Sequence, residues 1–282
     1  MIWPFKPRYR KQIARIEITG AIASATRKRV LEALQEIEEK KFPALLLRID
    51  SPGGTVADSQ EIYSALRKLQ DKVKIVASFG NISASGGVYI GVGAHHIVSN
   101  PGTITGSIGV ILRGNNIEKL LDRVGVSFKV IKSGPYKDIL AFDRSLTPEE
   151  QQILQELIDV SYGQFVRTVA EGRNLPENRV REFADGRVFT GEQALALGMV
   201  DRLGSEEDAR RWVAELSGLD PDKAECHTFE EKKNLLSRVL PGSHSLFSVF
   251  PEYLPQTLAR IDFEVATSGV PLWMYQPPGM GR

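Results

Sequence analysis

Residues 79–90, FGNISASGGVYI, form an elbow of small residues between two stretches of different character. The apolar run 73–79 before it is typical of a β-strand, and the residues after it fit only a tight helix. Ser85 stands at the turn, and the two glycines that follow let backbone N–H groups approach a bound molecule closely. A serine on such an elbow exposes its hydroxyl, with the next amides aimed where an oxyanion would develop. An ordinary helix N-cap in a loop is the alternative interpretation.

Bulk composition excludes several classes of function. The chain has 282 residues, and its 42% hydrophobic and 25% charged content is that of an ordinary globular protein. A net charge of +1 argues against general nucleic-acid binding, which needs a strongly basic face. The single cysteine, Cys226, excludes an intrachain disulfide, and the four histidines lack metal-ligand spacing with carboxylates. We therefore expect no metal site.

The N-terminal residues have an unusual charge distribution. No apolar run reaches the roughly 18 residues that span a bilayer, and residues 1–5 are too short for a signal-peptide core, so an intracellular protein is expected. Five cations in residues 6–15 precede the first acid, Glu17, and follow the cluster IWPF at 2–5. Residues 1–11 are therefore expected to touch an anionic membrane surface, with a solvated basic tail as the alternative.

Strands and helices alternate along most of the chain. Apolar patterning predicts strands over 13–18, 44–49, 73–79, 96–99 and 126–131, and helices over 24–40, 56–69, 117–124, 147–171, 191–197 and 205–218. Such alternation predicts a parallel sheet in an α/β domain, and repeated β-β-α units fit equally well. Beyond about residue 221 the pattern weakens. We expect an irregular C-terminal appendage that packs on a partner or on the main domain.

Loops rich in small or polar residues follow four of the predicted strands. They cover residues 50–54, 80–87, 105–109 and 132–138. In an open α/β sheet the loops after parallel strands converge on one edge, where ligands bind. Together they supply a candidate nucleophile, paired backbone donors, a second hydroxyl and an amine: Ser85, Gly53 with Gly54, Ser107 and Lys137.

A serine nucleophile needs a base. His95 and His96 follow Ser85 closely at the start of a strand and would point away from a loop-borne site. Lys137 is the better candidate, because a lysine serves as base when desolvation lowers its pKa. Lowering a lysine pKa from about 10.4 toward 7 costs roughly 4–5 kcal/mol, which requires a closed apolar site. Lys132 is the less constrained alternative as the base. For either lysine, the alternative interpretation is an ordinary solvated surface residue.

Four motifs in register resemble the signal peptide peptidase A family, also called peptidase family S49 or protease IV. They are DSPGG at 50–54, ASGG at 84–87, NPGTITGSIG at 100–109 and KSGPYKD at 132–138. The resemblance covers about residues 12–215. It implies the ClpP/crotonase-type fold and a serine–lysine endopeptidase that hydrolyses apolar peptides, such as cleaved signal peptides, without a metal or cofactor. Residues 12–218 would form the peptidase domain, 1–11 a tail and 219–282 an extension of unknown role.

The resemblance also assigns roles to single residues. It implies Ser85 as nucleophile and Lys137 as general base, with Ser107 hydrogen-bonded to the lysine amine. The amides of Gly53 or Gly54 and of Gly86 would form the oxyanion hole. Short members of the family form homo-oligomeric rings in which serine and lysine meet across a subunit boundary, and we expect the same here.

Two other functions use the same features differently. A crotonase-type acyl-CoA hydratase or isomerase would use the Gly53/Gly54 amides for a thioester enolate, but Ser85 and Lys137 would have no purpose there. A non-catalytic ring scaffold would not need the two residues either. A fluorophosphonate probe separates the three, because only the peptidase should be labelled at Ser85.

Overall fold

The computed structural model describes residues 8–229 and 272–274. Of these, residues 8–111, 156–229 and 272–274 form one compact unit, here called the sheet unit, and residues 112–155 form a second, the insert unit. The predictions made for residues 1–7 and for most of the C-terminal extension lie outside the described residues. Among the described helices, none is both long enough and apolar enough to cross a membrane.

The sequence pattern predicts most of the longer elements at nearly their observed positions. The strands are β1 Ile13–Thr19, β2 Ala44–Ser51, β3 Gly53–Thr55, β4 Lys74–Ala84, β5 His96–Ser99, β6 Ile104–Gly106, β7 Val188–Thr190, β8 Arg202–Leu203, β9 Cys226–Phe229 and β10 Leu272–Met274. The helices are α1 Ser24–Lys40, α2 Val56–Leu69, α3 Gly86–Gly91, α4 Glu118–Val124, α5 Pro148–Arg173, α6 Glu177–Arg181, α7 Gly191–Ala196 and α8 Glu206–Leu216, preceded by a 3₁₀ turn at Arg8–Lys11.

The main sheet is mostly parallel, and β4 is its branching strand. The order is β7-β6-β4-β2-β1-β9, and β5 also pairs with β4 and with β8. The first half of β4 pairs with β5, from Val76 to Phe79, and its last residues, Ile82 to Ala84, pair with β6. All these pairings are parallel except that of β6 with β7. The α/β class with a parallel sheet is confirmed.

A second, smaller sheet forms beside the end of β2. Strand β3 pairs with β10 in antiparallel register, with Gly54 opposite Trp273. Isolated bridges join Ile22 to Gly54 on one side and Ile111 to Leu272 on the other. The second glycine of the DSPGG motif is therefore flanked by backbone on both sides.

The central strands are buried on both faces. In β2, Leu45, Leu47 and Ile49 belong to a core cluster shared with α1, α2, α3 and α5. Ala44 and Leu46 belong to a second cluster, formed with α8. Because both faces of the first half of β2 are covered, residues 44–47 are a continuous apolar run instead of alternating. The prediction of a strand covered on both faces is confirmed.

Three details of the predicted secondary structure are wrong. Residues 126–131 are not a strand. Their side chains are exposed, and no described strand pairs with them. Strand β4 continues to Ala84 instead of ending at Phe79, because β6 pairs with its last residues. Ser24 is the first residue of α1 instead of its cap, since Ala23 precedes the helix without a side-chain cap.

Charged side chains hold the insert unit together. The Arg144 guanidinium donates to Asp138 Oδ1 at 2.8 Å and to Glu150 Oε1 at 2.5 Å, and Lys132 Nζ donates to the same Asp138 oxygen at 2.6 Å. Glu150 also closes the predicted capping box of α5, accepting from the Thr147 N–H at 2.9 Å while its own N–H donates to Thr147 Oγ1 at 3.2 Å. The hydrogen bonds from Arg144 and from the Thr147 amide lower the pKa of Glu150 to about 2.

Candidate active site

Ser85 lies where β4 ends and α3 begins, in a backbone conformation that few residues other than glycine adopt. Its φ is 53° and its ψ is −113°. Such a conformation costs about 1–3 kcal/mol and persists only where its surroundings enforce it. The Ser85 N–H donates to the Gly106 carbonyl at 2.8 Å, and its carbonyl accepts from the Tyr89 N–H at 2.9 Å. Strand β6 and the first turn of α3 thus hold the strained turn from both ends.

The Ser85 side chain is buried and, among the residues that the structure describes, lacks a polar partner. The residue is 1% exposed, and within the described residues its Oγ has no hydrogen bond. Burying an unpaired hydroxyl costs about 1–3 kcal/mol, so such a group in a native structure needs an explanation. A nucleophilic role supplies that explanation, because a nucleophile's hydroxyl needs its hydrogen-bond partner only during the reaction.

Helix α3 lies so close to the sheet that two of its glycines leave little room for a side chain. A Cβ on Gly91 would come within 2.6 Å of the Phe79 ring, and one on Gly87 would lie 3.2 Å from the Ser51 carbonyl oxygen. On the outer side of the helix, Tyr89 Oη is hydrogen-bonded to Thr168 Oγ1 of α5 at 3.0 Å, and burial raises the pKa of this tyrosine. The residue after Ser85 therefore begins a rigid turn, and as the first helical residue Gly86 has an N–H without an intrahelical partner.

The two glycines of the DSPGG motif have different environments. Gly53 has a φ of 103°, which favours glycine, and its N–H donates to Ser51 Oγ at 3.1 Å. Gly54 has no room for a side chain, because a Cβ there would lie 1.9 Å from the Ile22 carbonyl oxygen. The Gly53 N–H is thus used within its own loop, whereas the Gly54 N–H lies on the edge of β3 that pairs with β10. The sequence left open which of the two amides is a donor, and this geometry favours Gly54.

Asp50 fixes the spacing between the glycine loop and β4, a role that the sequence did not reveal. Its Oδ1 accepts from the Ile82 N–H at 3.1 Å and its Oδ2 accepts from Asn81 Nδ2 at 3.1 Å. Gly80 packs against it so tightly that a Cβ would come within 2.6 Å of the carboxyl carbon. The carboxylate ties the end of β2 to the bulged part of β4.

Ser107 shares the unusual backbone conformation of Ser85. Its φ is 50°, that of the preceding Gly106 is 89°, and the serine is 8% exposed. The Ser107 N–H donates to the Arg187 carbonyl at 2.7 Å, beside the pairing of β6 with β7. Both predicted serines are therefore buried in strained turns that follow paired strands of the sheet unit.

The two candidate lysines belong to the insert unit and differ in their partners. Lys132 Nζ donates to the Pro135 carbonyl at 2.9 Å and to Asp138 Oδ1 at 2.6 Å. Lys137 is exposed, and its amine has no hydrogen bond or ion pair among the described residues. Lys132 is thus occupied by local contacts, whereas the amine of Lys137 is available.

The histidines have other partners. Burial lowers the pKa of His95, and its Nδ1 accepts from the Ile75 N–H at 3.1 Å. The His96 ring stacks on Trp212 with centroids 4.4 Å apart. Among the described residues, no group of three or more histidine, cysteine, aspartate or glutamate side chains could hold a metal ion.

Comparison with known proteins assigns the family. Residues 67–220 match the model of peptidase family S49, and residues 9–99 match that of Clp protease. The chain belongs to peptidase family S49. A Synechocystis sp. protein named "Putative protease slr0021" is 68% identical over 98% of this chain and 100% of its own length. Protease 4 of Salmonella typhi is 33% identical over 85% of this chain, which matches only 39% of that longer protein.

Solved structures agree on the fold of this S49 peptidase. A mutant of the membrane-bound stomatin-specific protease 1510-N superposes with a TM-score of 0.53 at 18% identity, covering 78% of this chain and 99% of that one. A ClpP1 mutant from Listeria monocytogenes gives a TM-score of 0.50 at 18% identity, over 70% and 94% of the two chains. The predicted family and ClpP-type fold are confirmed, and the chain is a peptidase.

Proposed function

We propose that this peptidase is a serine endopeptidase in which Ser85 is the nucleophile and Lys137 the general base. The neutral lysine amine takes the hydroxyl proton as Ser85 attacks the peptide carbonyl, giving a tetrahedral intermediate. Its collapse to an acyl-enzyme releases the amine product, and water then hydrolyses the ester with the same lysine as base. The observation that carries the proposal is the Ser85 hydroxyl, which is buried on a strained turn and has no hydrogen bond within the described part of the chain.

The amides of Gly54 and Gly86 are proposed as the oxyanion hole. Gly86 follows the nucleophile directly, and Gly54 has its N–H on the edge of β3 that faces away from Ile22. Gly53 is the weaker candidate, because its N–H already donates to Ser51 Oγ. Backbone donors held this rigidly stabilise a developing oxyanion without reorganising during the reaction.

Lys137 is favoured over Lys132 as the base because of their contacts. The Lys132 amine donates to two oxygen atoms of its own loop, which support the shape of residues 132–138. The Lys137 amine has no competing partner among the described residues. Ser107, a buried serine in a second strained turn, is proposed to accept a hydrogen bond from that amine and so orient it.

An assembly of several copies would give Lys137 the dry surroundings that a neutral lysine requires. The insert unit exposes many apolar side chains, among them Leu120, Val124, Phe128, Val130 and Ile131, each more than half exposed. A contiguous exposed apolar surface is typical of an interface between proteins. We propose a homo-oligomer in which the Lys137 of one copy reaches the Ser85 of its neighbour.

Peptide hydrolysis by single variants tests the residue roles. Ser85→Ala and Lys137→Ala should each abolish hydrolysis of apolar peptides, whereas Lys129→Ala, a matched change at another exposed lysine of the insert unit, should keep it. Lys132→Ala should remain active, and Ser107→Ala should be slowed. The fluorophosphonate probe should label Ser85 in the wild type. Full activity of Lys137→Ala together with loss in Lys132→Ala would move the base to Lys132.

Co-refolding tests whether the dyad crosses a subunit boundary. Inactive Ser85→Ala and Lys137→Ala chains, unfolded and refolded together, should regain part of the wild-type activity, because some boundaries then join an intact serine to an intact lysine. Each variant refolded alone is the control. Mixed oligomers as inactive as their parents would place both residues in one subunit.

A further inference from the structure

Strand β10, in the C-terminal region of the chain, lies beside β3, the strand that contains Gly54. Leu272 exchanges two backbone hydrogen bonds with Ile111, its N–H donating at 3.0 Å and its carbonyl accepting at 3.1 Å. On its other edge, β10 runs antiparallel to β3. The strand also contacts α3, the helix that begins directly after Ser85. All these elements belong to the sheet unit.

The register brings the backbone of Trp273 against the amide of Gly54. The Gly53 carbonyl and the Thr55 N–H both point to Ile22, at 2.8 and 2.9 Å. Because these groups alternate along a strand, the N–H and carbonyl of Gly54 point the other way, toward Trp273. The carbonyl of Trp273 is therefore the one that faces the proposed oxyanion donor.

An extended peptide substrate would need the same position. Adding a strand to an open sheet edge is a general way of binding extended peptides through their main chain. A substrate whose carbonyl reaches the Gly54 amide must run along β3, where β10 already lies. The Leu272 side chain is 5% exposed, so an apolar residue is buried at this position.

We propose that residues 272–274 act as an internal competitor that occupies the peptide groove and that substrates must displace. The inference rests on the proposed role of Gly54 at the site. A competitor attached to the same chain lowers the apparent affinity for substrate. The apparent affinity equals the intrinsic affinity multiplied by the fraction of time that the groove is free. It leaves the rate of the saturated enzyme unchanged.

Two substitutions at Leu272 in the full-length chain form a matched pair. Leu272→Asp buries a carboxylate and should release the strand, whereas Leu272→Ile keeps an apolar side chain there. With a short apolar peptide as substrate, Leu272→Asp should lower KM about tenfold, equal to roughly 1.4 kcal/mol, at an unchanged kcat. Leu272→Ile should match the wild type. An unchanged KM, or a kcat that falls with it, would mean that β10 is a structural strand and overturn the proposal.

A binding measurement separates this proposal from the catalytic one. A fluorescent peptide of residues 268–278 is titrated into the inactive Ser85→Ala chain, with and without Leu272→Asp. The double variant should bind it about tenfold more tightly. Equal affinity would refute the competitor even if the peptidase is active. Tighter binding by the double variant, with no hydrolysis by the wild type, would support the competitor and refute the proposed catalysis.

Discussion

Replacing Gly54 by alanine tests whether the backbone of β3 is part of the catalytic site. The new Cβ would lie 1.9 Å from the Ile22 carbonyl oxygen and 2.6 Å from the Ile22 carbonyl carbon and nitrogen. All three are backbone atoms, so no side chain can rotate away. Since real Cβ contacts are not shorter than 3.0 Å, β3 must move by about 1.1 Å, and displacements of that size can cost about 10²-fold in rate. Losing one oxyanion donor costs about 10²–10³ in kcat. We therefore expect the kcat of Gly54→Ala to fall by roughly 10²–10³-fold.

The assay is steady-state hydrolysis of an apolar peptide, with Tm measured alongside. Gly102→Ala is the matched control, since a Cβ at Gly102 meets nothing within 4 Å and should leave kcat unchanged. Gly54→Ala should remain folded while its kcat falls. If its kcat stays within about threefold of the wild type, well short of the loss expected for an oxyanion donor, then Gly54 does not contribute to the oxyanion hole.

Three further outcomes are expected. The Tm should fall as pH drops from 4.5 toward 2, because Arg144 lowers the pKa of Glu150 from 4.5 to about 2 and protonation removes the stabilisation that the carboxylate provides. The fall should be smaller in Glu150→Gln, which has no carboxylate to protonate at this position. Arg173→Met should lower the urea-derived free energy of unfolding by roughly 2–3 kcal/mol, because it leaves the Asp201 carboxylate without its arginine partner. The exposed Arg179→Met should cost less than about 1 kcal/mol. Deleting residues 1–11 should abolish salt-sensitive co-sedimentation with anionic vesicles, and unchanged co-sedimentation would exclude that contact.

Local sequence was enough to predict the elbow. A serine followed by two glycines after a buried strand predicts a tight turn, and the positive φ of Ser85 agrees with it. The apolar run 44–47 in β2 likewise predicts a strand covered on both faces, because each of these four consecutive residues is buried. Both the elbow and the buried strand depend on residues that are adjacent in the sequence.

Features that depend on distant residues could not be predicted. The sequence suggested that β4 ends at Phe79, but Asp50 and the pairing with β6 carry the strand to Ala84. Choosing between the amides of Gly53 and Gly54 required the positions of Ser51 and Ile22. The apolar alternation in residues 126–131 predicted a strand, yet a strand needs a neighbour for its backbone groups, and no described segment provides one.

The pairing of β6 with β7 has a consequence for the order in which the protein becomes active during synthesis. Ser107 is held by the carbonyl of Arg187, and Gly186 donates to the Ile108 carbonyl at 3.2 Å, across almost 80 residues of chain. A ribosome that has reached Ser107 has yet to make the segment that holds this turn. Contacts between residues so far apart in sequence also form slowly. The nascent chain therefore carries Ser85, the proposed nucleophile, long before the turn at Ser107 is fixed. A site that uses Ser107 as proposed cannot cleave peptides until most of the domain has emerged.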